Sequence, residues 1–145
     1  SFPGVPHRLE VVGELGGVLF VNDSKATNPE AAAAALDAYD RRVHLIAGGS
    51  AKGTPFDALA VASQGRLASA HLIGETASEI AEALAATGLR ATIHADLETA
   101  VRAATAGARS GDVVLLAPAC ASFDQFDNYA ARGDAFCSAV EALRP

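Results

Sequence analysis

The chain has no methionine and no tryptophan, and only two lysines, two tyrosines and two cysteines in 145 residues. No run of eighteen apolar residues occurs, and no basic stretch precedes an apolar one near the start, so neither a membrane span nor a secretory signal is expected. Cys120 and Cys137 fit no metal or redox spacing, and so few cysteines suit a reduced, cytoplasmic setting. Positive charge is scarce as well. The net charge of −6 argues against a general nucleic-acid surface, although a few cations gathered in one cleft could still hold a small anion.

What is present is compact: half of the residues are hydrophobic and 19 % are charged, in a length that suits one domain with a sizeable core. The two lysines are placed alike. Lys25 lies in Asn22-Asp23-Ser24-Lys25-Ala26-Thr27-Asn28, directly after the apolar run Val18–Val21, and Lys52 lies in Gly48-Gly49-Ser50-Ala51-Lys52-Gly53, after Val43–Ala47. Lysines that merely solvate a surface would be scattered over helix faces.

Ser1–Arg8, with Pro3, Gly4 and Pro6, reads as an extended lead-in of interdomain-linker type, with the domain proper over 9–145. Leu9–Gly13 and Val18–Val21 flank a Gly16-Gly17 turn and predict an opening hairpin. Strands and helices then alternate. Helices are expected from Pro29 to Tyr39 with Asn28 as cap, from Thr54-Pro55 to Ser63, and from a Thr76-Ala77-Ser78-Glu79 capping box to Gly88. Two more are expected from Asp96 to Arg109 and from Asp134 to Leu143. Intervening strands are expected at Val43–Ala47, Ala70–Ile73, Ala91–His94 and Asp112–Leu116. This rhythm predicts an α/β, Rossmann-like, mostly parallel open sheet with helices on both faces, opened by a short antiparallel hairpin.

In such sheets ligands sit outside the carboxyl ends of the strands. Three polar loops follow apolar strands there: Asn22–Asn28, Gly48–Gly53 and Pro118–Tyr129. If their strands are neighbours, Lys25 and Lys52 supply charge, Ser24, Thr27 and Ser122 hydroxyls, and Asp23 an acceptor. That set suits a ligand with carboxylates or a phosphate, since each hydrogen bond to a charged group contributes roughly 1.5–3 kcal/mol. Other chemistries fail on spacing. The Gly48–Gly53 loop lacks the phosphate-loop order, and no G-x-G-x-x-G follows a strand. Ser122 lies outside a nucleophile elbow, and His44, His71 and His94 read as strand residues of the core or sheet face without metal-ligand spacing. Cys120 reads as a buried thiol at a strand end, and Asp124, Asp127 and Asp134 as caps or solvated surface.

The Asn22–Asn28 run, the Gly-Gly-x-x-Lys-Gly of Gly48–Gly53, and Ala117-Pro118-Ala119-Cys120-Ala121-Ser122-Phe123-Asp124-Gln125-Phe126 with Arg132-Gly133-Asp134 resemble the C-terminal domain of the Mur ligases, on the D-glutamate-adding branch. His7-Arg8 is similar to that family's approach to its last domain. The resemblance implies part of an ATP-dependent ligase of peptidoglycan precursor synthesis. In it an acyl phosphate forms on UDP-N-acetylmuramoyl-L-alanine, and the amine of D-glutamate attacks it. It further implies that Thr27 and Lys52 hold one carboxylate of D-glutamate, and Ser122 with the stretch at Tyr129 the other. Arg8 and Asp23 would face the nucleotide of ATP, and Lys25 its phosphates or the acyl phosphate, as the catalytic cation. Mg2+ would accompany ATP in the complete enzyme, with no cofactor held tightly by this domain and no metal ligand in it. The UDP-sugar substrate would bind through N-terminal and central domains. A cytoplasmic monomer, inactive alone, is the corresponding expectation, with no nucleic-acid or membrane partner.

Tyr129 stands where the family more usually has phenylalanine, and the D-N-P-R signature of the diamino-acid-adding branch is absent. The alternatives are a stand-alone carboxylate-binding or regulatory module, the equivalent domain of another Mur or folylpolyglutamate-type ligase, and a structural domain whose lysines only pair with acids.

Overall fold

The computed structural model describes residues 5–145. Its elements are β1 (Glu10–Leu15), β2 (Val18–Asn22), α1 (Pro29–Asp37), β3 (Val43–Ala47), α2 (Asp57–Ser63), β4 (Leu67–Leu72), α3 (Ala77–Ala85), β5 (Thr92–Ile93), α4 (Leu97–Ala106), β6 (Val113–Leu116) and α5 (Tyr129–Glu141). The six strands form one sheet in the order β1-β2-β6-β3-β4-β5. Only the β1–β2 pair is antiparallel. Its two-residue turn, Gly16-Gly17, has φ of +57° and +81°, the left-handed pair that the twist of a tight hairpin requires.

Strands β3 and β6 are buried along their whole length, as near-continuous apolar strands covered on both faces should be. Alternate side chains feed two cores. Val21, Leu45 and Leu115 pack with Leu36 of α1, Leu59 of α2 and Ile80 of α3. Phe20, Ile46, Val114 and Leu116 pack on the other face with Val101 of α4 and Phe136 of α5. The expected mostly parallel α/β sheet with helices on both faces is what forms.

Two caps act as expected: Asn28 Oδ1 accepts the Ala31 N–H and Asp96 Oδ1 the Thr99 N–H, each at 2.8 Å. Four local expectations are corrected. Ser1–Gly4 of the lead-in lie outside the described residues, but Val5–Arg8 is a turn rather than extended, closed by the Arg8 N–H on Val5 O at 3.2 Å. Helix α2 begins at Asp57 with Phe56 before it, so Thr54 is not its cap. Thr76 makes no capping bond to α3, because its hydroxyl is engaged elsewhere. Helix α5 starts at Tyr129, not Asp134, because Asn128 Oδ1 caps it by accepting the Ala131 N–H at 2.8 Å. His44 and His71 are strand residues as expected, whereas His94 follows β5.

Candidate ligand site at the carboxyl edge of the sheet

Strands β2, β6 and β3 are adjacent, so the three polar loops meet at one edge. Main-chain hydrogen bonds join them. Asp23 N–H donates to Leu116 O at 2.8 Å, Ala119 N–H to Ala26 O at 2.9 Å, Gly48 N–H to Pro118 O at 2.9 Å and Ser50 N–H to Ala121 O at 2.8 Å. Ala119 takes up φ of +64°, a conformation costly for a residue with a Cβ, to make this junction.

The joint is cross-linked by Arg132, 1 % exposed, from the first turn of α5. Its guanidinium donates from Nε to Ser24 Oγ at 2.9 Å, from one terminal nitrogen to Ser24 O at 2.7 Å, and from the other to Cys120 O at 2.9 Å. Burial pulls its pKa down to about 10, with Cys120 and Asp124 acting in the opposite sense, so it remains charged at neutral pH. A fork reaching two loops at once is a geometry lysine cannot reproduce. Ser24 Oγ in turn donates to Tyr129 O at 2.6 Å, closing the link back to α5.

Asn22 and Asp23 fix the start of the first loop. Asn22 Oδ1 accepts the Ser24 N–H at 3.1 Å, while its amide nitrogen reaches His7 Nδ1 at 2.9 Å and Glu10 Oε1 at 3.0 Å. Asp23 Oδ1 accepts the Leu9 N–H at 3.0 Å. Burial raises the Asp23 pKa, and the Leu9 N–H and the nearby Arg8 charge oppose that. Both flanks of Arg8 are left-handed, His7 at φ +65° and Leu9 at +43°. The lead-in is therefore clamped against the first loop, and Lys25 N–H also donates to His7 O at 3.0 Å.

The loops leave two clefts, one on each side of the Asn22–Asn28 turn. One is lined by Arg8, Asp23 and Lys25 with Leu9 and an alanine wall of Ala26, Ala31, Ala34 and Ala35. The other is lined by Thr27, Ser50, Lys52, Thr54, Thr76 and Cys120 among others. Lys52, on the exposed part of its loop, donates from Nζ to Thr27 O at 3.2 Å. Lys25 donates from Nζ to the Tyr129 hydroxyl at 3.2 Å and lies 5.1 Å from that ring's centre. Ser122, 2 % exposed, has a buried hydroxyl with no hydrogen-bond partner. It stands alone in this among the buried side-chain polar atoms of the described residues.

A family model described as "Mur ligase, glutamate ligase domain" matches residues 7–120. The chain belongs to the Mur ligases. This Mur ligase domain is 53 % identical over 143 residues, 99 % of its length, to the UDP-N-acetylmuramoylalanine–D-glutamate ligase of Burkholderia mallei (strain SAVP1). It spans only 28 % of that relative's length. Among solved structures it resembles the UDP-N-acetylmuramate-alanine ligase of Thermotoga maritima, with a TM-score of 0.68 at 14 % identity, covering 99 % of this chain and 32 % of that one. It also resembles the bifunctional folylpolyglutamate synthase/dihydrofolate synthase of Yersinia pestis, solved with AMPPNP and a Mn ion. There the TM-score is 0.66 at 22 % identity, over 93 % of this chain and 31 % of that one. At those identities the likeness concerns the fold.

In the Mur ligase domain the candidate residues fall into three places. Arg8, Asp23 and Lys25 share the alanine-walled cleft, and Thr27 and Lys52 share the other. Ser122 and Tyr129 line neither: Ser122 is enclosed beneath the third loop, and Tyr129 holds Lys25. Arg132 belongs to the motif that carries the family resemblance, which by itself assigns it no role. Its signal was there, since a helix capped by Asn128 puts Arg132, Gly133, Phe136 and Val140 on one buried face. Thr76 was hidden by its resemblance to a cap. Asp124, expected as surface, instead braces the second loop. Its N–H donates to Ser50 Oγ at 2.9 Å, and its Oδ2 accepts the Glu75 N–H at 3.0 Å.

Proposed function

We propose that this domain is the acceptor-amino-acid part of an ATP-dependent ligase that joins D-glutamate to UDP-N-acetylmuramoyl-L-alanine, with residues 1–8 as the linker and 9–145 as the domain. The observation that carries the reading is the Lys52–Thr27 pair. An exposed ammonium, held beside the cleft only by a backbone carbonyl at 3.2 Å, is ready to exchange that carbonyl for a carboxylate. The 53 % identity to ligases of that name supports the choice of amino acid.

In this reading Lys52 and Thr27 hold one carboxylate of D-glutamate, and the partnerless Ser122 hydroxyl, with the chain at Tyr129, receives the other once the third loop shifts to uncover it. The cleft of Arg8, Asp23 and Lys25 takes part of ATP. Its alanine wall suits a flat base, the Asp23 carboxylate suits ribose hydroxyls, and the two cations suit phosphates. Phosphoryl transfer from ATP to the alanyl carboxylate yields ADP and an acyl phosphate. The D-glutamate amine then attacks the carbonyl carbon, phosphate leaves, and the amine gives up a proton as the amide forms. Lys25 is the cation that this chain offers to the phosphate oxygens. In this reading Mg2+ accompanies ATP in the complete enzyme; among the described residues no three His, Cys, Asp or Glu side chains gather as metal ligands. The setting is cytoplasmic and the domain alone turns over neither substrate.

The test is an amide NMR titration of this chain with D-glutamate, L-glutamate and Mg-ATP in separate experiments. A dissociation constant of order millimolar, about 4 kcal/mol, is expected for half a site. D-glutamate should shift Thr27, Lys52 and Ser122, and Mg-ATP should shift Asp23 and Lys25. Equal responses to both glutamate isomers, or shifts remote from these loops, would overturn the assignment.

A further inference from the structure

Helix α3 begins with the pattern of a capping box, yet Thr76 leaves that helix without a side-chain acceptor at its N-terminus. A cap of this kind ordinarily stabilises the helix it starts. The hydroxyl is instead turned inward, on a residue 2 % exposed. Thr76 Oγ1 accepts the Gly49 N–H at 3.1 Å and lies 3.2 Å from Gly49 O and 3.3 Å from Cys120 Sγ. The Thr76 N–H adds a second contact to Gly49 O at 3.2 Å. One residue therefore grips both backbone polar groups of Gly49, one from each flanking peptide, and touches the third loop.

Gly48 and Gly49 are both tightly enclosed. A Cβ on Gly49 would run into Ala121 O and the Cys120 side chain, and one on Gly48 into Ile73 O. Beyond Ser50 the loop is exposed, and Lys52 stands three residues from the grip. Thr76 also lines the same cleft as Lys52 and Thr27. Local preference yields here to a tertiary contact, which is the pattern of a site being held in shape.

We propose that Thr76 is a positioning residue for acceptor binding, acting through Lys52 by fixing the Gly48-Gly49 turn from which the Lys52 loop projects. This rests on the reading of Lys52 as a carboxylate-binding residue. It predicts that affinity for the amino acid depends on a hydroxyl that need not touch it.

The experiment uses the full-length ligase that carries this domain, with Thr76→Val, Thr76→Ser, Lys52→Ala and the Thr76→Val/Lys52→Ala double variant. Thr76→Val should raise KM for D-glutamate about tenfold, with kcat and KM for ATP within about twofold, and Thr76→Ser should restore it. The double variant should be no worse than Lys52→Ala alone, because the first change acts through the second residue. A merely structural role would lower the melting temperature and leave KM unmoved. Unchanged KM in Thr76→Val beside a raised KM in Lys52→Ala overturns this proposal alone, as do multiplicative effects in the double variant. Unchanged KM in Lys52→Ala overturns the underlying reading. Should Thr76→Val not fold, Thr76→Ala removes the same hydroxyl and answers the same question.

Discussion

The Nδ1 atom of His71 lies 2.9 Å from Nε2 of His94, with the two rings stacked at 5.1 Å and 25°. The pair ends a chain of hydrogen bonds through the sheet. His44 Nε2 is 2.9 Å from Asp112 Oδ2, Ser69 Oγ is 2.7 Å from His44 Nδ1, and His71 Nε2 is 2.9 Å from Ser69 Oγ. A carboxylate can only accept, so His44 donates to it from Nε2, and in the neutral ring Nδ1 accepts from Ser69. Ser69 then accepts from His71, and His71 from His94. A further proton on His71 would turn its Nδ1 from acceptor to donor and require His94 to present an unprotonated Nε2.

Stability should therefore fall as acid is added, well before the carboxylates protonate. Burial, then the neighbouring His94 and His44, hold the His71 pKa down to about 4, against 6.5 when unfolded. The unfolded chain binds the extra proton first. The contribution is intact above about pH 6.5 and is lost progressively towards pH 4, by about 3 kcal/mol at most. Asp112 acts lower on the scale. Burial disfavours its charge, but His44, the Arg109 N–H and Arg42 hold its carboxyl below the usual range. Urea midpoints at pH 7 and 4.5 should differ clearly in the parent chain and much less in His71→Gln. Equal pH sensitivity in the two would refute the chain's role.

Removing the Ser122 hydroxyl should stabilise the domain. A buried polar group without a partner costs roughly 1–3 kcal/mol. Ser122→Ala deletes the group with little change of volume, so a rise of a few degrees in melting temperature is expected. The same variant should lose the D-glutamate shifts at the third loop. A lower melting temperature would mean that the hydroxyl has a partner in solution.

Alanine for glycine inside a helix ordinarily helps by about 1 kcal/mol. At Gly133 it should do the reverse, because a Cβ there would occupy the place of the His7 ring and crowd the Asn22 amide. Gly133→Ala should lower stability by about 1–3 kcal/mol and disturb the Lys25 and Arg8 amides. Gly107→Ala, at the end of α4 where nothing lies nearer than 3.9 Å, is the control and should be neutral or favourable. Like behaviour of the two variants in thermal melts would show that His7 does not occupy that space in solution.

The sequence was most legible where one local signal decided the outcome. Val43–Ala47 is a strand because five consecutive residues are buried on both faces, and Asn28 and Asp96 are caps because nothing else competes for their oxygens. The meeting of the three loops depends on strand adjacency, which the apolar runs leave open and the order β2-β6-β3 supplies. It was least legible where a tertiary partner outbid a local one. Thr76 looks like a cap and serves Gly49; Arg132-Gly133 precedes the expected start of the last helix and lies in its first turns. Nor could spacing reveal that Ser122 is sealed under its loop, since enclosure depends on residues far apart in the chain.

Neither β2, β6 nor β3 is an edge of the sheet; the edges are β1 and the two-residue β5. Amide hydrogens in the strands that root the site should therefore exchange with solvent only when the whole domain opens, while those of β5 exchange through local fraying. The loops themselves are tied across those protected strands by Arg132 and Thr76, at opposite sides of the junction. Partial loosening from the β5 edge inward would thus reach the candidate site last, and a domain that has lost β5 to fraying would still present it.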